Sequence, residues 1–178
     1  YQGTADAVYQ NLDIIREHRP KYVLILAGDH IYKMDYTMMT ATHVRQNADV
    51  VIGCVEMPSS EASQFGILQV DEGGKVTSFV EKPVFPVSLP NHPGRVLASM
   101  GIYLFEAELL YEILTADARK GTSRHDFGAD ILPELVHTYR LVTCPFRDLA
   151  TGSSGYWRDV GTLDAYWAAN LELAGVTP

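Results

Sequence analysis

The sequence predicts an α/β fold, a Rossmann-like mixed and mostly parallel sheet with helices on both faces. Two observations carry that expectation. Two apolar runs, YVLILAG at 22–28 and DVVIGCVEM at 49–57, lack the polar alternation of a half-solvated strand. They read as strands covered on both faces. Helical patterns separate them and most later strands, and alternating strand and helix builds a layered sheet. One stretch departs from this. FGILQVDEGGKVTSFVEK, 65–82, alternates around Asp71, Glu72, Gly73 and Gly74 and reads as an antiparallel hairpin set into the sheet.

The elements follow in order. TADAVYQNLDIIREH reads as one helix, with Thr4 as its N-cap, Val8, Leu12 and Ile15 on one face, and Pro20 closing it. KYVLILAG is the first strand. DYTMMTATHVRQN is a helix with Asp35 as cap. DVVIGCVEM is a strand parallel to the first, because a helix lies between them. After the hairpin, PVFPVSLPNHPG holds four of the nine prolines and must be an irregular loop. VLASMGIYLFE is a further apolar strand. AELLYEILTADARKG and DFGADILPELVHT are helical, the second with Asp126 as cap. RLVTCPF is a strand, DLATGSSG a loop, and TLDAYWAANLELAG a last helix capped by Thr162.

Bulk properties narrow the function classes. A chain of 178 residues, 47% hydrophobic and 20% charged, suits one globular domain. A net charge of -8 speaks against a broad basic face for nucleic acid. Cys54 and Cys144 each sit in an apolar run and read as buried thiols of a reducing compartment, which places the protein in the cytoplasm. No apolar run reaches the length of a membrane span. The opening YQGTADAV has neither an initiating Met nor a basic start before an apolar stretch, so the sequence reads as a piece of a longer protein.

In α/β sheets, ligands bind beyond the carboxyl ends of the strands. Asp29 follows YVLILAG at such an end. Within the strand a carboxylate would be costly to bury. At its end it can hold a hard cation such as Mg²⁺, or simply make the turn before HIYKMDY. In FVEKP, Lys82 offers a point charge to a phosphate and Glu81 an acceptor to sugar hydroxyls; alternatively the two form an exposed ion pair. In YWRDVGT, Asp159 is a second metal carboxylate, or the partner of Arg158 beside a turn at Gly161. Ser99, inside LASMGIYLF, needs a partner for its hydroxyl, either a ligand hydroxyl or a backbone carbonyl. Gly3 and Thr4 lead into the first helix, whose start can receive a nucleotide edge or phosphate. Gly66 lets a ligand approach the backbone or marks a strand start. His30 reads as structural beside Asp29, and His125 precedes a helix cap. No zinc-type histidine pair, G-x-S-x-G elbow, G-x-G-x-x-G turn or Walker A loop occurs.

Taken in order, GTADAV, ILAGDHIYKMDY, EASQFGILQVDE, FVEKP, LASMGIYLF, SRHDFGADILP and YWRDVGTLDAYWAANLEL resemble the glucose-1-phosphate adenylyltransferases, or ADP-glucose pyrophosphorylases, of bacterial glycogen synthesis. The resemblance spans essentially the whole chain. It implies a sugar-nucleotidyltransferase fold and a reaction of ATP with α-D-glucose 1-phosphate that gives ADP-glucose and pyrophosphate. It also implies roles. Asp29 and Asp159 would hold Mg²⁺. Lys82 would bind the sugar phosphate, and Glu81 and Ser99 the sugar hydroxyls. Gly66 would line the sugar-nucleotide pocket with backbone. Tyr1, Gly3 and Thr4 would form the adenosine end, and Arg158 would stand near phosphate. The family pattern includes a glycine-rich triphosphate loop before this segment and a parallel β-helix after it, so the chain corresponds to a catalytic-domain fragment whose sheet lacks its first strands. The exposed edge should favour pairing with another chain. The resemblance further implies a cytoplasmic, allosteric homotetramer that binds neither nucleic acid nor membrane.

Two related readings use the same architecture: a UTP- or dTTP-dependent sugar nucleotidyltransferase, and a catalytically silent regulatory subunit. Retention of Asp29, Lys82 and Asp159 favours an active enzyme over the second. A plain dinucleotide-binding domain would need the absent glycine fingerprint.

Overall fold

The structure is a computed structural model that describes residues 1–148, 152 and 154–175. Its core is a six-stranded mixed sheet built on one long central strand, β6 (Arg95–Glu106). On one side β6 pairs antiparallel with β3 (Val50–Pro58), and β3 pairs parallel with β7 (Leu141–Pro145). On the other side two strands share the edge of β6. β1 (Tyr22–Leu26) takes its second half, from Leu26↔Ile102 to Tyr22↔Glu106. β4 (Gly66–Val70) takes its first half at Ile67↔Ala98 and Leu68↔Leu97, and β5 (Val76–Glu81) completes the hairpin beyond it. β1, β3, β4 and β7 thus run one way, with β6 and β5 running back. The expected common direction of β1 and β3 holds, but β6 stands between them, so their contact is indirect.

Both faces of this sheet are covered. Val50, Ile52, Tyr103 and Phe105 face one core, with α4 (Ala107–Asp117) and α5 (Leu132–Leu135) packed over it. Val51, Val55, Ile102 and Leu104 face the other, under Met39 of α3 (Thr37–Gln46). This explains the unbroken apolar runs: alternate residues of one strand enter different cores. Burying each such side chain contributes about 2 kcal/mol. β1 is the exception. Its residues are half-buried and Leu26 is exposed, because among the described residues it pairs with β6 alone.

The first helix is split. α1 (Thr4–Tyr9) and α2 (Leu12–Glu17) are separate short helices, with Gln10 and Asn11 between them. Thr4 is not a cap; Gly3 holds that position without a side-chain bond. Asp35 does support the start of α3, accepting from the Thr37 N–H and hydroxyl. In the hairpin turn, Asp71 Oδ1 accepts from the Gly73 and Lys75 amides. Asp126 caps the helical turn over Phe127–Ile131 by accepting from the Gly128 and Ala129 amides. Thr162 caps α6 (Leu163–Leu173). The expected loop at 148–155 lies partly outside the described residues. Two short strands were absent from the sequence pattern: β2 (His30–Tyr32) and β8 (Trp157–Asp159) form an antiparallel ribbon apart from the main sheet.

Candidate active site

The cleft follows from how β1 and β4 divide one edge of β6. β1 ends opposite Ile102, and β4 begins near Ser99. Between these points β6 bulges: Gly53 pairs with Ile102 and Cys54 with Ser99, so Met100 and Gly101 have no counterparts. A bulge bends a strand and re-aims its neighbours. Gly101 takes φ +67, a left-handed value suited to glycine. The gap opens into a cleft of about 450 Å³.

One wall carries acid. Asp29 follows β1, and the β2–β8 ribbon places His30 opposite Asp159. The Val160 N–H donates to the Asp29 carbonyl at 2.8 Å, and the Gly161 N–H to Asp159 Oδ1 at 2.8 Å. The first bond joins the two distant segments that carry the carboxylates, and the second fixes Asp159 locally. A Cβ on Gly161 would lie 3.1 Å from both Asp29 Oδ2 and Asp159 Oδ1. His30 Nε2 lies 3.6 Å from Asp29 Oδ1 and 4.0 Å from Asp159 Oδ2. Ligand atoms of Asp29, His30 and Asp159 all fall within 4.8 Å of one another. Two carboxylates and a glycine-sized gap fit a hard divalent cation that keeps waters and phosphate oxygens as its other ligands. The His30 ring packs edge-on to Trp157 at 5.2 Å and lies over Gly101, where a Cβ would meet Cε1 at 3.1 Å.

The other wall is assembled from β4, β5, β6 and the segment after α4. Glu81 is half-buried, and burial pushes its carboxyl above the ordinary glutamate value. Lys82 opposes that rise, Asp126 adds to it and Arg124 opposes it. Lys82 follows β5 in a left-handed conformation, φ 47, just before Pro83, and its N–H donates to the Phe65 carbonyl at 3.0 Å. A non-glycine residue there stores about 1 kcal/mol or more of strain. Ser99 is buried, and its hydroxyl meets the Tyr103 hydroxyl at 3.2 Å and accepts from the Gly101 N–H at 3.3 Å. Neither partner is the backbone carbonyl expected as an alternative. Gly66 and Gly128 leave room for Glu81: a Cβ would come within 2.9 Å and 2.5 Å of its Oε2, respectively.

Of the residues singled out in the sequence, Thr4, Asp29, Gly66, Glu81, Lys82, Ser99 and Asp159 line this one cleft. Tyr1 and Gly3 do not. Tyr1 is 81% exposed. Gly3 is pressed against the 124–125 backbone, where a Cβ would lie 2.3 Å from the His125 carbonyl oxygen. Thr4 uses its hydroxyl internally, donating to Asp126 Oδ2 at 2.9 Å and accepting from the Phe127 N–H at 3.1 Å. Arg158 is turned to α6, where its guanidinium bonds both oxygens of Glu172 at 2.8 and 3.3 Å. Strand alternation puts Arg158 on the opposite side from Asp159, which removes the expected phosphate contact. The cleft also gains Tyr103, Asp126, Phe127 and Gly128. Asp126 was legible only as a helix cap, and no local pattern marked Tyr103 as anything but a core residue.

A model of the nucleotidyl transferase family matches residues 1–175. The chain is 59% identical over 178 residues to glucose-1-phosphate adenylyltransferase 2 of Alkalilimnicola ehrlichii. It is 56% identical over 179 residues to glucose-1-phosphate adenylyltransferase of Nitrosococcus oceani, and 53% identical over 178 residues to that of Methylococcus capsulatus. Each similarity covers 100% of this chain and 42% of the relative, so the chain spans less than half the length of these curated relatives.

Proposed function

The chain belongs to the nucleotidyl transferase family, and from that premise we propose that it forms the catalytic core of an enzyme joining ATP and α-D-glucose 1-phosphate into ADP-glucose and pyrophosphate. The observation that carries this reading is the convergence of Asp29 and Asp159 at one end of a cleft whose far wall presents Glu81 and Lys82. The names of the relatives support ATP as the nucleotide and glucose 1-phosphate as the acceptor. A product of this kind serves glycogen synthesis in the cytoplasm, and the intact protein is an allosterically regulated homo-oligomer in this reading.

The sugar phosphate oxygen attacks the α-phosphorus of ATP, a P–O bond forms as the bond to pyrophosphate breaks, and the proton balance is unchanged at the acceptor, which enters as an anion. Asp29 and Asp159 would hold Mg²⁺. When bound, the cation offsets negative charge that builds on the α-phosphate. Lys82 meets the sugar phosphate with its ammonium group, held by a strained backbone rather than by side-chain bonds. Glu81 and Ser99 accept hydroxyls of the glucose ring, and Asp126 lines the same cleft. Gly66 and Gly128 keep the wall thin beside Glu81. The chemistry asks little more of the protein than positioning and fixed charge. Among the described residues no helix is long and apolar enough to cross a membrane.

The test is pyrophosphate release by the full-length protein given glucose 1-phosphate, Mg²⁺ and, in separate assays, ATP, UTP, GTP or dTTP. Turnover with ATP far above the others is the expected result. Preference for UTP or dTTP would reassign the nucleotide. Failure with all four, in a folded protein, would favour a silent regulatory subunit.

A further inference from the structure

Asp117 occupies a place that α4 does not account for. It is the last residue of the helix, where the macrodipole disfavours a carboxylate. Its side chain is only 5% exposed, which adds a desolvation cost. The compensation lies outside the helix. His125 Nδ1 sits 2.7 Å from Asp117 Oδ2, and the Ser123 hydroxyl donates to Asp117 Oδ1 at 2.8 Å. The same Ser123 oxygen accepts from the His125 N–H at 3.0 Å. His125 is itself held in a left-handed conformation, φ 56, and its side chain is 12% exposed. Two individually unfavourable positions are thus joined by one short hydrogen bond.

What this bond holds is the backbone that becomes the cleft wall. The His125 carbonyl accepts from the Ala5 and Asp6 amides at 2.8 and 3.2 Å, filling the role that a side-chain cap would play for α1. Gly3 makes that approach possible, since a Cβ there would overlap the same carbonyl. The next residue, Asp126, then reaches Thr4 and turns its other oxygen to the Gly128 and Ala129 amides. Phe127 packs on Tyr103, with ring centroids 5.7 Å apart. Gly128 closes on Glu81. None of these groups touches Asp29 or Asp159.

We propose that the buried Asp117–His125 pair is a positioning device for the sugar end of the cleft, holding residues 124–128 against α1 so that Asp126, Phe127 and Gly128 form the wall beside Glu81. Its identification with the sugar end rests on the function proposed above. Asp117 and His125 touch no substrate in this account; they act through the backbone they fix.

The experiment uses the full-length protein with Asp117→Asn, His125→Asn and the double variant. Asn preserves volume at the first site and tolerates the left-handed backbone at the second. Each single variant should raise KM for glucose 1-phosphate by about tenfold or more, because small misplacements of binding groups are costly. KM for ATP should stay within about twofold of wild type, a split that general loss of stability does not produce. The double variant should match the singles rather than multiply them, as expected for two ends of one interaction. Hydrogen exchange gives a readout independent of turnover: the Gly128 and Ala129 amides should exchange about tenfold faster or more, with Val51 and Leu104 in the sheet unchanged. A lowered Tm with both KM values and the exchange at 128–129 unchanged would overturn the proposal, as would multiplicative effects in the double variant. If wild type makes no ADP-glucose, the activity reading fails, and unchanged exchange at 128–129 would overturn the positioning role separately.

Discussion

Asp29 and Asp159 converge on one point beside Gly161. An oxygen of each lies 3.1 Å from where a Cβ on that glycine would be. The Asp29 carbonyl binds the Val160 amide, and Asp159 binds the Gly161 amide. The backbone of the second segment is therefore stitched to the first, which brings the two carboxylates to one point. Preorganisation of this kind is what a site for charge stabilisation requires.

Gly161→Ala tests that spacing without removing a charge. A methyl group 3.1 Å from both oxygens must push at least one aside. The variant should fold, with Tm close to wild type, and bind Mn²⁺ about tenfold or more weakly, the scale seen when groups around a metal are displaced. Titration followed by electron paramagnetic resonance reads this directly. Undiminished affinity would mean that the cation sits elsewhere.

Glu81 should confer a pH dependence on sugar binding. Burial raises its pKa, so between the ordinary glutamate value and the raised one the folded chain holds more protons than the unfolded chain. The group's contribution to stability therefore falls as pH climbs through that window. Binding runs the other way, since the ionised carboxylate is the better acceptor for sugar hydroxyls. KM for glucose 1-phosphate should rise as pH drops through the window, and Glu81→Gln should flatten that limb while raising KM at neutral pH by about tenfold, the loss of one charged hydrogen bond. A profile unchanged by the substitution would remove Glu81 from the sugar site.

Arg158 should behave as a surface clamp. Its pairing with Glu172 ties β8 to α6, and both side chains are close to half exposed. Arg158→Ala should cost about 1 kcal/mol at most after solvent screening and leave KM for glucose 1-phosphate within about twofold. Thermal unfolding and steady-state kinetics check the two statements. A large rise in KM would restore the phosphate contact that the geometry denies.

The apolar strands were legible because each feeds two cores, and no alternation survives that demand. The caps at Asp126 and Thr162 were legible because a carboxylate or hydroxyl before a helix has a local job. The β2–β8 ribbon was not legible. Its strands are three residues each and are held by a partner far along the chain, so nothing local announces them. The same limit applies to Gly3, whose contact is with His125 rather than with a neighbour in sequence. Arg158 misled because its sequence neighbour Asp159 faces the cleft, and strand geometry turns adjacent side chains apart. The motifs therefore located the two carboxylates and the Glu81–Lys82 pair, while the wall from 124 to 128 emerged only from tertiary packing.

The most direct measurement compares full-length wild type with Asp29→Asn and Asp159→Asn, reading ADP-glucose formation and Mn²⁺ binding on the same samples. Each substitution should lower kcat by about 10²-fold or more and weaken Mn²⁺ binding, with Tm near that of wild type. Variants that keep wild-type turnover and Mn²⁺ affinity would contradict the proposed metal site, and would return Asp29 to the role of a turn residue after β1.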